Sequence, residues 1–541
     1  MKPPEQVPPP TPVHFPRCFP KADGGGGGGP PPGPREPLVA LLQGILRPTE
    51  VGPKHFEALG IHVRPDAELA DLMPDPKFVP DFDHWDSLSY EEARQANEGT
   101  RRRLNNGNLS PGVHTYHDRK LELSTNNLAA YRTVRRLQPL PGKQPPRLGN
   151  AYEFFRHLET FAAFWDDTSA PKPEPPAKGP RDDAASGADG KEPKGQEPQF
   201  RFTRVEAGTA MPPDNRLNLV TAFLKLVAYD FNCNVSAPRT EPRLYLNAAP
   251  LPSPADPATP PPPLLPRSSY FSSGCIFVFR SPQTREAARA GIVEGPLAAV
   301  TARHTTAFPP SPPGAGPDTP SADKDAAIDL ARELIAALLT AQHRAREGRA
   351  ERRFGESAWW ATKPRWGGGP GGPIGRETDP AAAAPNTDDA PPDARPAHRA
   401  PAPKKARRNL PAYDGYRMVR PPSAGWDKKV RYSAVGRARG ADHDDVFVVS
   451  ALFHHVAFLR VRVPRRLLDV LDGVAPPAAA GDDDDDGTTW TGRVDVVRSP
   501  WFDFFLPPDR LAAMRVVWAM MSYLMRAADD GDGDGDVKMG G

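Results

Sequence analysis

DVFVVSALFHHVAFLRVRV, residues 445–463, sets a demand that the rest of the chain has to meet. Residues 446–458 are apolar on nearly every side, so a helix and a strand fit equally well, and either must be buried all round. The last seven residues, AFLRVRV (457–463), alternate as a strand does. No ordered stretch nearby is long enough to enclose such a segment, so distant pieces of chain have to pack around it.

Those pieces are legible. RLYLN (243–247), GCIFVFR (274–280) and RVDVVR (493–498) are short and rich in β-branched or aromatic residues, as strands are. Helical spacing recurs in AYEFFRHLETFAAFW, where Asn150 is the expected cap and Phe154, Leu158, Phe161 and Trp165 share a face. A second helix is expected from Asp214 or Asn215, with Val220, Phe223, Leu224, Val227 and Phe231 on one side. A third is expected over about 325–346, where Ile328, Ala331, Ile335 and Leu338 align and Arg344 and Arg346 suit its carboxyl end. The last follows Pro507-Pro508-Asp509, with Leu511, Met514, Trp518, Met521 and Met525 on its stripe. Helices mixed with strands, separated in sequence, predict an α+β fold: one discontinuous globular domain interrupted by Pro/Gly/Ala-rich insertions.

Composition locates the insertions. Proline supplies 71 of 541 residues, roughly 13 % against about 5 % in ordinary proteins. The body is expected in three parts, 36–167, 199–376 and 410–527. Residues 1–35, 168–198 and 377–409 are expected to be disordered, as are the loops 248–266, 309–322 and 474–488 and the acidic tail 528–541. Such composition buries too little apolar surface to offset chain entropy. Net charge is +2 and names no partner. Cys18, Cys233 and Cys275 are too few and too scattered for a disulfide framework or a four-ligand zinc site, and are read as reduced intracellular thiols. The amino terminus has no apolar signal core, and no stretch approaches a membrane span, so no membrane partner is expected.

The search for chemistry yields no catalytic residue, no metal ligand and no cofactor. HExxH, CxxC, GxSxG and the P-loop pattern are all missing. Gly367, Gly369 and Gly372 match GxGxxG in letter only, because two prolines interrupt the segment and no helix start follows to present amides to a phosphate. His114, the His117-Asp118 pair, His443-Asp444-Asp445 and the His454-His455 pair offer bases or ligands in principle. Adjacent histidines point to different sides of a helix or strand, which argues against chelation by 454 and 455 together. The plainer expectation is turn chemistry for His117-Asp118 and core-edge positions for His454 and His455.

Basic and aromatic features stand out more. Residues 341–376 hold eight Lys/Arg and three Glu, with Trp359, Trp360 and Trp366 among them. Arg352, Arg353, Lys363, Arg365 and Trp366 are the candidate contacts to nucleic acid or a partner, since cations track phosphates and an indole stacks on a base. Residues 401–440 hold eleven Lys/Arg and two Asp, a local charge of +9. Within them PKKARR has the composition of a nuclear import signal, carried by Lys404, Lys405, Arg407 and Arg408. Two further clusters are Arg101-Arg102-Arg103 and Arg132, Arg135, Arg136, Lys143 and Arg147. Opposing blocks, among them the five aspartates 482–486, let a near-neutral total hide a polyanion-binding surface.

YHDRKLELSTNNLAAYRTVRR, LGNAYEFFRHLETFAAFWDDTS, SAWWATKPRWGGGPGGPIGRE and VRSPWFDFFL resemble a protein family of filamentous fungi to which no function is attached. The resemblance covers residues 115–525 and implies one folded unit, with no activity or partner. The missing catalytic motifs and the basic segments, rather than the resemblance, lead to the expectation of a non-enzymatic nuclear protein. As a subunit or adaptor of a chromatin or nucleic-acid-associated complex, it would bind protein subunits, nucleic acid or histones. The alternatives are a cytoplasmic or ribosome-assembly scaffold acting through protein contacts alone, and a divergent enzyme.

Overall fold

A computed structural model describes residues 8–13, 15, 37–45, 50–169, 204–212, 214–237, 242–247, 268–280, 286, 292–303, 320–345, 347, 431–438, 440–474 and 490–527. The demanding stretch is a hairpin of two long strands, β8 (His443–Leu452) and β9 (His455–Pro464), paired in antiparallel register from His443 opposite Pro464 to Leu452 opposite His455. They lie inside a mixed sheet. One edge is β1 (Ile61–Arg64), followed by β10 (Val494–Arg498), β9 and β8. Beyond β8 come β6 (Ile292–Ala302), β5 (Ile276–Arg280) and β2 (Cys233–Ser236). Short β7 (Arg431–Ser433) pairs with β6, and β11 (Phe502–Asp503) with β9.

Burial on both faces explains the unbroken apolar run. Phe447, Val449 and Ala451 of β8 face one core, while Val446 and Val448 face the other. The first core is closed by α3 (Leu69–Leu72), α4 (Phe82–Ser87), α5 (Tyr90–Thr100), α6 (Val113–Leu123), α7 (Asn127–Val134), α8 (Tyr152–Ala162), α9 (Asp214–Ala228) and α12 (Pro507–Leu524). The second is closed by α1 (Leu38–Gln43), α2 (Pro53–Leu59), α10 (Pro320–Arg344), α11 (Arg465–Leu471) and the hairpin of β3 (Arg243–Asn247) and β4 (Ser268–Ser272). The molecule is thus α+β, a mixed sheet between two apolar layers.

Local chemistry sets the element ends. Ser89 and Glu92 form a capping box at the start of α5, satisfying amides the helix cannot. Pro507 and Pro508 occupy the first turn of α12, where a missing N–H costs nothing. Gly60 ends α2 in the left-handed region at φ +65, and a Cβ there would sit 2.1 Å from the Gly492 carbonyl oxygen. Asn150 is not the cap expected of it: it lies in a 3₁₀ turn (Gly149–Ala151) preceding α8, and its N–H donates to Glu122. Arg344 does not stand free at the end of α10 but turns inward, fully buried.

Asp86 of α4 ties three elements of the first layer together. It accepts from Lys120 Nζ at 2.7 Å and from the Tyr116 hydroxyl at 3.1 Å, and pairs with Arg515 of α12. Burial pushes its carboxyl up, but the Lys120 hydrogen bond and the Arg515 and Lys120 charges outweigh that, leaving it below the usual range. A depressed folded-state value means the stabilisation is complete above the unfolded pKa and drains away as the pH falls through the folded one. Asp86→Asn should therefore cost stability near neutrality and flatten the loss of stability below about pH 4. Unfolding free energies measured from pH 7 to pH 2 check this; parallel curves for the two proteins would contradict it.

Candidate functional site

Pairing directions place the carboxyl ends of β1, β6, β8 and β10 on the same side, since β6 and β8 are parallel, β1 and β10 are parallel, and β9 runs against both β8 and β10. In open sheets that include parallel strands this side is where ligands commonly sit. Here it is unusually polar for a buried place. Arg498, the last residue of β10, donates to Glu333 of α10 at 3.1 Å, and Ser450 of β8 donates to the same carboxylate at 2.5 Å. Arg332 reaches Thr301 and Ser450, and Arg303 pairs with Asp329 at 3.3 Å. Glu333 Oε2 and Arg498 Nε, both buried, have no hydrogen-bond partner among the described residues. Buried orphans cost about 1–3 kcal/mol each.

Three further side chains lie just beyond the strand ends. His454 lies in the tight turn between β8 and β9, and His455 is the first residue of β9. Phe453 makes that turn at φ +55, a conformation an aromatic residue adopts at a cost of about 1–3 kcal/mol. Because one histidine is in the turn and the other in the strand, alternation does not separate them. Their ring centroids are 4.1 Å apart, contrary to the expectation that neighbouring histidines diverge. Pairing of β11 with β9 then sets Asp503 opposite His455.

The two imidazoles address different oxygens of that carboxylate. His454 Nε2 is 3.8 Å from Asp503 Oδ1, and His455 Nε2 is 3.8 Å from Oδ2. Neither Nδ1 has a hydrogen-bond partner among the described residues. Asp503 is held from behind: Thr168 Oγ1 donates to Oδ2 at 2.7 Å and the Phe505 N–H donates to Oδ1 at 2.8 Å. Aromatic rings wall the site, Phe505 at 4.6 Å and Trp165 at 5.9 Å from His454, and Phe15 edge-on to His455 at 4.9 Å. Burial, with the neighbouring His455, drives His454 well below its ordinary pKa, and burial brings His455 to about 4. Burial also raises Asp503 against its two donors.

Among the described residues, the other histidines do not assemble a comparable site. His117 and Asp118 belong to α6 rather than to a turn; His117 Nε2 meets the Trp85 carbonyl at 2.8 Å, and Asp118 accepts from Tyr90. His443 contacts Asp442 and Asp445 at the far end of β8.

The basic features divide. Arg352, Arg353, Lys363, Arg365 and Trp366 lie outside the described residues, as do Lys404, Lys405, Arg407 and Arg408. Residues 124–147 are described and carry Arg132, Arg135, Arg136, Lys143 and Arg147 with no acid. Arg135, Arg136, Lys143 and Arg147 are exposed; Arg135 reaches across to Glu159 at 2.6 Å. Arg132 and Lys143 line a 320 Å³ groove that also includes Asn126 at the start of α7. Of the triple arginine, Arg101 pairs with Glu98 and Arg102 donates to the Lys77 carbonyl.

Comparison with protein-family models, curated proteins and solved structures gives no match. The sites rest on the residues alone.

Proposed function

We propose that the protein is a non-enzymatic nuclear protein, a subunit or adaptor of a chromatin or nucleic-acid-associated complex, and that its basic segments contact polyanionic partners. The observation that supports this most is the face over residues 124–147, where five cations gather without an acid in the stretch and two of them, Arg132 and Lys143, line a groove. Cations so placed can follow a phosphate backbone and release its counterions. The basic segment 401–440 adds a second, larger concentration of positive charge along the same chain. No described helix is long and apolar enough to cross a membrane.

Localisation tests the nuclear part. A tagged full chain is expected to accumulate in the nucleus, and changing Lys404, Lys405, Arg407 and Arg408 together to Ala is expected to move it to the cytoplasm. Cytoplasmic wild-type protein would overturn the nuclear reading in favour of a cytoplasmic scaffold. Nuclear accumulation of the fourfold variant would remove the import role from that cluster.

A further inference from the structure

We propose that His454, His455 and Asp503 bind one divalent transition-metal ion of the zinc class, through one nitrogen from each imidazole and one carboxylate oxygen, with a position left for an outside ligand. This goes beyond the nucleic-acid reading and does not depend on it.

Geometry carries the proposal. Among the described residues, these three offer ligand atoms that all lie within 4.8 Å of one another. A tetrahedral zinc ion with bonds of about 2.0–2.2 Å spaces its ligands by roughly 3.4 Å. Each Nε2 is 3.8 Å from the oxygen it faces, Oδ1 for His454 and Oδ2 for His455. Bringing both nitrogens and a single oxygen around an ion takes a contraction of at most about 1.4 Å from the 4.8 Å within which the three ligand atoms lie. The 3.8 Å separations are beyond hydrogen-bond reach, so the two imidazoles and Asp503 converge without bonding to one another. An ion between them would take the Nε2 lone pairs, which no hydrogen bond engages among the described residues.

The surroundings fit as well. Ligating carboxylates are oriented by hydrogen bonds from outside the site, and Thr168 and the Phe505 amide supply them, one to each oxygen. The loop that brings the histidines together is held in a strained turn at Phe453. Two nitrogens and one oxygen favour zinc, cobalt, nickel or iron over magnesium and calcium, which demand oxygen shells. Three protein ligands are one fewer than a closed structural zinc site uses, which leaves a position open. Phe15 stands over His455 and stacks on Trp501 at 5.3 Å, so an outside ligand would approach beside that aromatic pair.

The test uses the full chain purified without a polyhistidine tag. After dialysis against zinc and then against metal-free buffer, elemental analysis is expected to find about one zinc per chain. Thermal unfolding should shift upward with added Zn²⁺ and not with added Mg²⁺. Replacement by Co²⁺ should give visible absorption bands of a four- or five-coordinate site. Asp503→Asn, which keeps the shape and an acceptor oxygen, and His455→Gln should each weaken retention at least tenfold while unfolding cooperatively without metal. Less than a tenth of an equivalent in the wild type, with no Co²⁺ bands, overturns the proposal. So does a full equivalent retained by both variants, which would put the ion elsewhere. Should the variants not fold, the wild-type stoichiometry and Co²⁺ spectrum decide alone.

Discussion

Replacing Trp518 with alanine is expected to lower the unfolding free energy by about 3–5 kcal/mol, the usual result of emptying a large aromatic site in a core. Trp518 is 1 % exposed on α12. Around it stand Trp85 of α4 at 6.0 Å, Tyr116 of α6 at 5.7 Å and Phe231, just beyond α9, at 5.8 Å, all edge-on. Three separate pieces of sequence meet on the ring of a fourth, so the cavity cannot be filled by moving a single side chain. Trp518→Phe should cost clearly less. Urea unfolding with an unchanged slope for both variants checks this. A loss below about 1 kcal/mol for Trp518→Ala would mean that α12 does not close the first core.

Arg344→Met should be comparably severe. Its guanidinium is 0 % exposed and donates to Asp444 at 2.8 Å, to the Pro296 carbonyl at 2.8 Å and to the Leu297 carbonyl. Removing it leaves a carboxylate that is 4 % exposed without its countercharge. Breaking one half of such a pair costs about 3–5 kcal/mol, whereas replacing both halves by apolar groups is often close to neutral. The double variant Arg344→Met/Asp444→Leu should thus regain most of the loss, and a double-mutant cycle measures the coupling. Additive losses would show that the carbonyl contacts, not the ion pair, dominate.

Much of this core is legible in sequence because its signals are local. RLYLN is β3 over the expected residues, and the stripe on 507–524 is α12. Strand β6 is not legible, since IVEGPLAAVTA carries Gly295-Pro296 at its middle and reads as a break. The sheet accommodates the proline where the β5–β6 register shifts between Val278 and Arg280, and the freed Pro296 carbonyl accepts from Arg344. Helices α4 to α7 escape notice because α4 and α7 are short, α5 exposes most of its residues, and α6 (VHTYHDRKLEL) is mostly polar in sequence. The carboxyl-end cluster escapes for a different reason. His454 and His455 are visible as a pair, but only the left-handed turn at Phe453 and the pairing of β11 bring Asp503 to them. Neither leaves a mark in composition or spacing. The basic face over 124–147 is visible from charge alone, and the groove within it is not.

The adaptor reading rests on electrostatic contact with a polyanion, and salt dependence tests that contact most directly. For the full chain binding a duplex, log K should fall linearly with log salt, each neutralised phosphate contributing a slope of about −0.9. Arg136, Lys143 and Arg147 are exposed, so changing all three to Gln should leave unfolding unaltered. If these residues hold the backbone, the variant should bind more weakly at low salt, with a slope shallower by about 2–3. Binding that is absent in the wild type, or whose slope is identical in the variant, would contradict the assignment of this face to nucleic acid.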